Sequence, residues 1–129
     1  MSRKSADRMV LALINRDYWL SGRAEAGEGD PLAGVENNEM LNKVTVARTA
    51  RELWKYIENY AGTFKYKNFY FANHPAYGCF VYVVKGGRAK QFEHISFSRF
   101  ESFRRWLNKM MRIYRKTRSV DDFVETYFA

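Results

Sequence analysis

A run of basic residues with helical spacing carries the clearest chemistry in this sequence. Residues 99–118 contain eight Lys or Arg residues and a single acid, Glu101. At 100° per residue, most of these cations fall on one arc of about 140° of a helix, and the apolar side chains fall on the opposite arc. The cations on this arc are Arg104, Arg105, Lys109, Arg112, Arg115 and Lys116. Such a row of positive charges is suited to a polyanion.

The spacing within this row also indicates a partner. Arg105 and Lys109 form a like-charged pair at i,i+4, a relation that destabilises a helix by about 0.2–0.5 kcal/mol. Arg112 and Lys116 form a second such pair, and compensating acids are absent. Residues 105 to 116 would span roughly 16 Å along the helix axis, which is enough to contact several phosphates.

A second group of cations lies among aromatic residues that have strand-like spacing. The cations are Lys65, Lys67, Lys85, Arg88 and Lys90. The interleaved rings are Phe64, Tyr66, Phe69, Tyr70, Tyr82 and Phe92. This combination of residues is suited to single-stranded nucleic acid, because bases stack on aromatic rings and phosphates pair with cations. The alternative is that the rings belong to the core and form cross-strand pairs. The nucleic-acid-binding residues predicted from the two groups together are the six helix cations with Lys65, Lys67, Arg88 and Lys90.

Residues suited to catalysis are few. His74 and His94 are the only histidines, and no spacing typical of a metal site occurs. We therefore expect no metal, no cofactor and no catalytic residue. If the protein were an enzyme, a metal-independent ribonuclease using His74, His94 and Tyr70 would be the candidate. Cys79 has no histidine near it in the sequence, so a structural role is expected.

Composition indicates one domain spanning residues 1–129. The chain has 47% hydrophobic residues and a net charge of +8, and its single cysteine excludes an internal disulfide. The single cysteine also indicates a reducing, cytoplasmic setting. No membrane segment is expected, because the first apolar run, residues 9–14, is too short to cross a bilayer. Residues 21–39 carry a net charge of −4 and four glycines, which predicts a flexible acidic loop that competes for the cationic helix face.

The secondary-structure pattern alternates helical and strand-like segments. Helices are predicted over 5–20, over 50–61, over 99–118 and after Ser119. Capping boxes are expected at Thr49 with Glu52, at Ser98 with Glu101 and at Ser119 with Asp122. Strands are predicted over 64–72, 79–85 and 88–97, the last two joined by a Gly86-Gly87 turn. Residues 43–47 fit either a short strand or the lead into the second helix.

These elements predict an α+β domain in the order α-(β)-α-β-β-β-α-α. A three-stranded antiparallel sheet would bury one face against the apolar side of the basic helix. The leading hypothesis is a small non-enzymatic protein that binds DNA or RNA. The alternative is an interaction module or inhibitor that docks an acidic surface of a larger partner, with nucleic-acid-processing proteins among the candidate partners. The ribonuclease is a weaker third hypothesis. The sequence leaves the oligomeric state open.

Overall fold

The computed structural model describes residues 3–20, 43–74 and 78–129, so the predicted acidic loop over 21–39 lies outside the described residues. Within the described residues, the chain forms four helices and five strands. In chain order these are α1 (Arg3–Leu20), β1 (Val44–Val46), α2 (Ala50–Asn59), β2 (Gly62–Tyr66), β3 (Phe69–His74), β4 (Gly78–Lys85), β5 (Arg88–Ile95), α3 (Phe100–Lys116) and α4 (Val120–Phe128).

The five strands form one mixed sheet in the order β1-β2-β3-β4-β5. β1 pairs with β2 in parallel, with α2 as the connection between them, and the other neighbours are antiparallel. The predicted three-stranded antiparallel sheet and its element order are therefore wrong. The ambiguous segment at 43–47 contains a strand, and its parallel pairing adds an edge that sequence periodicity does not reveal.

The single strand predicted over 64–72 is also wrong, because the structure has two strands, β2 and β3, in this segment. The chain reverses at Lys67-Asn68, and Phe64 pairs with Phe71 across the hairpin. Lys67 adopts a φ of +54°, a conformation that usually calls for glycine or asparagine. Because aromatic residues with high strand propensity flank the turn on both sides, the sequence appears as one uninterrupted strand.

One face of the sheet forms the main core with α2, α3 and α4. Phe71, Val81 and Val83 are fully buried on this face. From α3, Phe103, Leu107 and Met110 pack into the same cluster. Strand alternation explains the arrangement, because alternate side chains of β3 and β4 point to the same side of the sheet.

α1 covers the opposite face. Val10 and Ile14 pack with Tyr70 and Tyr82, whose neighbours in the strands point to the main core. The two tyrosines are directly paired across β3 and β4. The sheet is therefore covered by helices on both faces, which explains why its central strands have few exposed positions.

The helix termini confirm two of the three predicted caps. The Thr49 hydroxyl accepts a hydrogen bond from the Glu52 N–H at 3.0 Å, and the Ser119 hydroxyl accepts one from the Asp122 N–H at 3.0 Å. The predicted box at Ser98 is wrong, because Arg99 is the N-cap of α3 and makes no side-chain capping bond. Ser98 lies one residue too early, and Glu101 pairs with Arg104 instead.

Truncation of the α3 core residues should test this packing. Leu107→Ala and Phe103→Ala should each lower the free energy of unfolding by about 2–5 kcal/mol, because each removes a fully buried side chain and leaves a cavity. Asn108→Ala, at an exposed position of the same helix, should change it by about 0.5 kcal/mol or less. Urea denaturation measures all three. Equal stability of the three variants would contradict the packing.

Candidate nucleic-acid interface

The six predicted helix cations are all exposed on α3. The side of the helix opposite them is held in the core by Phe103, Leu107 and Met110. We call the exposed set the α3 basic face; it consists of Arg104, Arg105, Lys109, Arg112, Arg115 and Lys116. Because the apolar face is fixed against the sheet, the cations have one orientation relative to the domain and point into solvent.

Two members of the α3 basic face interact with neighbouring side chains. Arg104 donates a hydrogen bond to Glu101 at 2.7 Å. This bond and the charge of Arg104 hold the pKa of Glu101 below its ordinary value. Lys109 Nζ lies 5.6 Å from the centre of the Tyr127 ring. Within residues 3–20, 43–74 and 78–129, the four other cations take part in no ion pair.

The charge beside α3 differs between its two neighbouring helices. On the α2 side, the Arg51 guanidinium lies 4.2 Å from the centre of the Phe100 ring, and Lys55 is exposed. On the α4 side, the acids are Asp121, Asp122 and Glu125. Asp121 bonds Arg88 at 2.9 Å, and Asp122 accepts the Arg118 N–H at 2.9 Å. α2 also carries Glu52 and Glu58, so its two cations are balanced by two acids, and the contact of Arg51 with Phe100 places one cation beside the start of α3. Acidic residues border the other side of α3.

A partly buried hydrogen-bond chain holds α4 against α3 and β5. The Tyr127 hydroxyl donates to Glu93 at 2.6 Å and accepts from the Trp106 indole N–H at 3.0 Å. Burial, followed by the bond to Glu93, raises the pKa of Tyr127 to about 12. The hydroxyl therefore stays protonated at neutral pH and keeps the donor that this chain requires.

The sheet cations do not form one surface, because their strands place them on different sides of the domain. Lys65 lies under α1, 3.5 Å from Asp7, with its side chain only 15% exposed. Lys85 donates to the Tyr114 carbonyl at 2.6 Å and to the Thr117 carbonyl at 2.5 Å. Lys85 is therefore a C-terminal cap of α3 rather than an exposed cation.

The three other sheet cations are exposed but separate. Arg88 is held by Asp121, and Lys90 lies in a cleft between α1 and β5. Lys67, at the β2–β3 turn, lines a groove together with Arg115. Of the predicted sheet cations, Lys67 is therefore the one placed beside the α3 basic face.

The interleaved rings belong to the core. All six are buried, and Tyr70 and Tyr82 are at most 1% exposed. Their hydroxyls donate to carboxylates of α1, Tyr70 to Asp7 at 2.5 Å and Tyr82 to Asp17 at 2.6 Å. Sequence reasoning missed these contacts, because the partners are more than sixty residues apart and share no local pattern.

Of the residues considered for catalysis, the two histidines lie on one side of the sheet and Tyr70 is buried. His94 is stacked on Phe80 at 4.3 Å, and the His74 ring lies 6.5 Å from that of Tyr18. His74 pairs with Gly78 across β3 and β4, and the His94 imidazole lies directly over Gly78, so the two histidines are on the same side of the sheet. Tyr70 is on the same strand as His74, four residues away and buried beneath α1. The structure therefore brings the two histidines to the same end of the sheet, and it buries Tyr70 away from solvent.

Among the described residues, no group of three or more His, Cys, Asp and Glu side chains could hold a metal ion. None of the helices in the described ranges is both long enough and apolar enough to span a bilayer. Comparison with known protein families, curated proteins and solved structures finds no match. The geometry of the α3 basic face is therefore the basis for any functional proposal.

The role of Lys85 as a helix cap gives a stability prediction. Lys85→Met should lower the free energy of unfolding by about 1–3 kcal/mol, because two carbonyls at the end of α3 lose a charged donor. Lys90→Met, at an exposed position of β5, should have little effect. Urea denaturation distinguishes the two residues, and equal stability of both variants would contradict the capping role.

The position of Cys79 gives a reactivity prediction. The side chain is 3% exposed, and burial raises the pKa of the thiol well above its ordinary value. The folded protein should therefore react very slowly with 5,5′-dithiobis(2-nitrobenzoic acid), because the thiolate is the reactive form. In guanidinium chloride the same thiol should react at the rate of a model peptide. Fast reaction under native conditions would show that the site is open.

Proposed function

We propose that the protein binds nucleic acid through phosphate contacts made by the α3 basic face. The observation that carries this proposal is the exposed row formed by Arg105, Lys109, Arg112 and Lys116, none of which has an ion-pair partner in the described parts of the chain. Exposed faces of ordinary helices mix charges of both signs. A row of one sign is electrostatically unfavourable until an anion neutralises it.

The geometry of the row supports a phosphate backbone as the anion. Arg105 and Lys116 are eleven residues apart in a continuous helix, which corresponds to about 16 Å along its axis. Duplex DNA carries one charge per about 1.7 Å of axis, so several phosphates fall within this length. Beside α3, the Arg51 guanidinium of α2 lies over the Phe100 ring and adds one further cation to this surface.

A quadruple variant tests the proposal. Arg105→Gln, Lys109→Gln, Arg112→Gln and Lys116→Gln are combined, and fluorescence anisotropy measures binding of mixed-sequence DNA and RNA over a range of salt concentrations. For four phosphates, log K of the unmodified protein should fall against log salt with a slope of about −3 to −4 on duplex DNA. The variant should bind more weakly and with a flatter slope.

A matched control separates this face from total charge. Lys4, Arg8, Arg16 and Lys43 are also exposed, and the first three lie on α1, across the sheet from α3. Replacing these four by Gln removes the same number of charges, so the net charge falls from +8 to +4 in both variants. The control should keep most of the affinity and the salt slope.

The outcomes decide between nucleic acid and an acidic protein. Equal loss of affinity in the two variants would mean that net charge alone attracts the polymer, and the assignment to α3 would fail. Absence of nucleic-acid binding by the unmodified protein would reject the proposal and favour a protein partner with an acidic surface. Circular dichroism of each variant establishes that the fold is retained.

A further inference from the structure

A groove beside the C-terminal half of α3 combines an apolar floor with two cations. Its lining consists of Lys67, Asn68, Phe69, Met111, Tyr114 and Arg115. Lys67 and Arg115 are exposed, whereas Met111 and Tyr114 are partly buried. The groove has a volume of about 220 Å³, and its described lining contains no acid. An anion with an attached apolar group matches this combination of charge and surface.

The backbone at Lys67 gives a second, independent observation. Lys67 has a φ of +54°, and among the described residues it is the one non-glycine residue with a positive φ. The β4–β5 turn has Gly86 at the corresponding first position, with a φ of +59°. Glycine adopts this conformation without the steric conflict that a Cβ creates. A lysine at this turn is therefore unfavourable for the backbone, which points to a role for its side chain.

The apolar floor distinguishes between nucleic-acid forms. In a duplex the bases are stacked in the interior, so an apolar groove beside a phosphate-binding face has nothing to bind. In a single strand the bases can turn outwards into such a groove. Met111 offers a polarisable thioether, which makes favourable contacts with aromatic rings. The groove is smaller than the roughly 300–1,000 Å³ of drug-sized pockets, so one base is the appropriate occupant.

The position of Arg115 connects the groove to the α3 basic face. Arg112 and Arg115 are three residues apart, so they are neighbours on the helix surface. We infer that the groove holds one unpaired base of a single-stranded nucleic acid, with Lys67 and Arg115 on the adjacent phosphates. This inference rests on the nucleic-acid binding proposed above and specifies the form that is bound.

The Lys67→Gly variant separates the side chain from the turn. It removes the charge while glycine accommodates the positive φ, so the melting temperature should stay the same or rise. Its affinity for a short oligothymidylate should fall several-fold, with the salt slope reduced by about 0.7, the contribution of one phosphate on a single strand. Lys67→Arg should retain the affinity, and Lys4→Gln, on α1, should leave it unchanged.

Two further probes test the base contact. The first is an abasic strand of the same length, which keeps the phosphates and lacks the bases, and the second is the matching duplex. The unmodified protein should bind oligothymidylate more tightly than either probe. Met111→Gln should reduce this preference while leaving affinity for the abasic strand unchanged, because glutamine has a similar length but a polar end.

The results distinguish this inference from the proposed function. If the quadruple α3 variant loses binding but Lys67→Gly and Met111→Gln bind oligothymidylate like the unmodified protein, the groove is not used and the α3 proposal stands. Equal affinity of the unmodified protein for oligothymidylate, abasic strand and duplex would also overturn the inference. Tighter binding of a phosphotyrosine peptide than of oligothymidylate would assign the groove to a different ligand.

Discussion

The packing of α3 on the sheet is the constraint on which the proposed surface depends. Phe103 lies 5.2 Å from Trp54 of α2 and 6.3 Å from Phe71 of β3, measured between ring centres. These contacts fix the orientation of α3 about its own axis, because rotating the helix would expose the buried rings and bury the guanidinium groups. Burial of unpaired charge is strongly unfavourable. The apolar contacts on one side of α3 therefore orient the cations on the other side.

The opposite face of the sheet is held by a different balance of interactions. α1 packs on it through Val10 and Ile14, but two of its carboxylates also face the sheet. Each accepts a hydrogen bond from a buried tyrosine hydroxyl, and Asp7 also lies 3.5 Å from Lys65. Buried polar groups require such partners, so Tyr70 and Tyr82 are structural residues beneath α1. Their rings are consequently not a surface on which bases can stack.

The cations of this protein thus divide by environment rather than by sequence neighbourhood. The side chains of Lys65 and Lys85 are largely covered by the fold, and their ammonium groups contact a carboxylate and backbone carbonyls respectively. Arg88 is held by an aspartate of α4. Among the cations predicted for binding, those of the α3 basic face and Lys67 are exposed and lie on the same side of the described domain. This arrangement supports the restriction of the proposed interface to α3 and the β2–β3 turn.

Local sequence patterns determined the features that depend on near neighbours. The spacing of Phe103 and Leu107 correctly predicted the buried side of α3. The predicted Gly86-Gly87 turn and the predicted caps at Thr49 and Ser119 were also correct. Each of these features requires only a few adjacent residues. Tertiary structure alone decided the parallel pairing of β1 with β2, the reversal at Lys67 and the polar contacts of α1. These depend on residues distant in sequence or on a backbone conformation disfavoured for lysine. The separation of structural from exposed cations has the same origin, since it depends on which oxygen atoms the fold brings near each side chain.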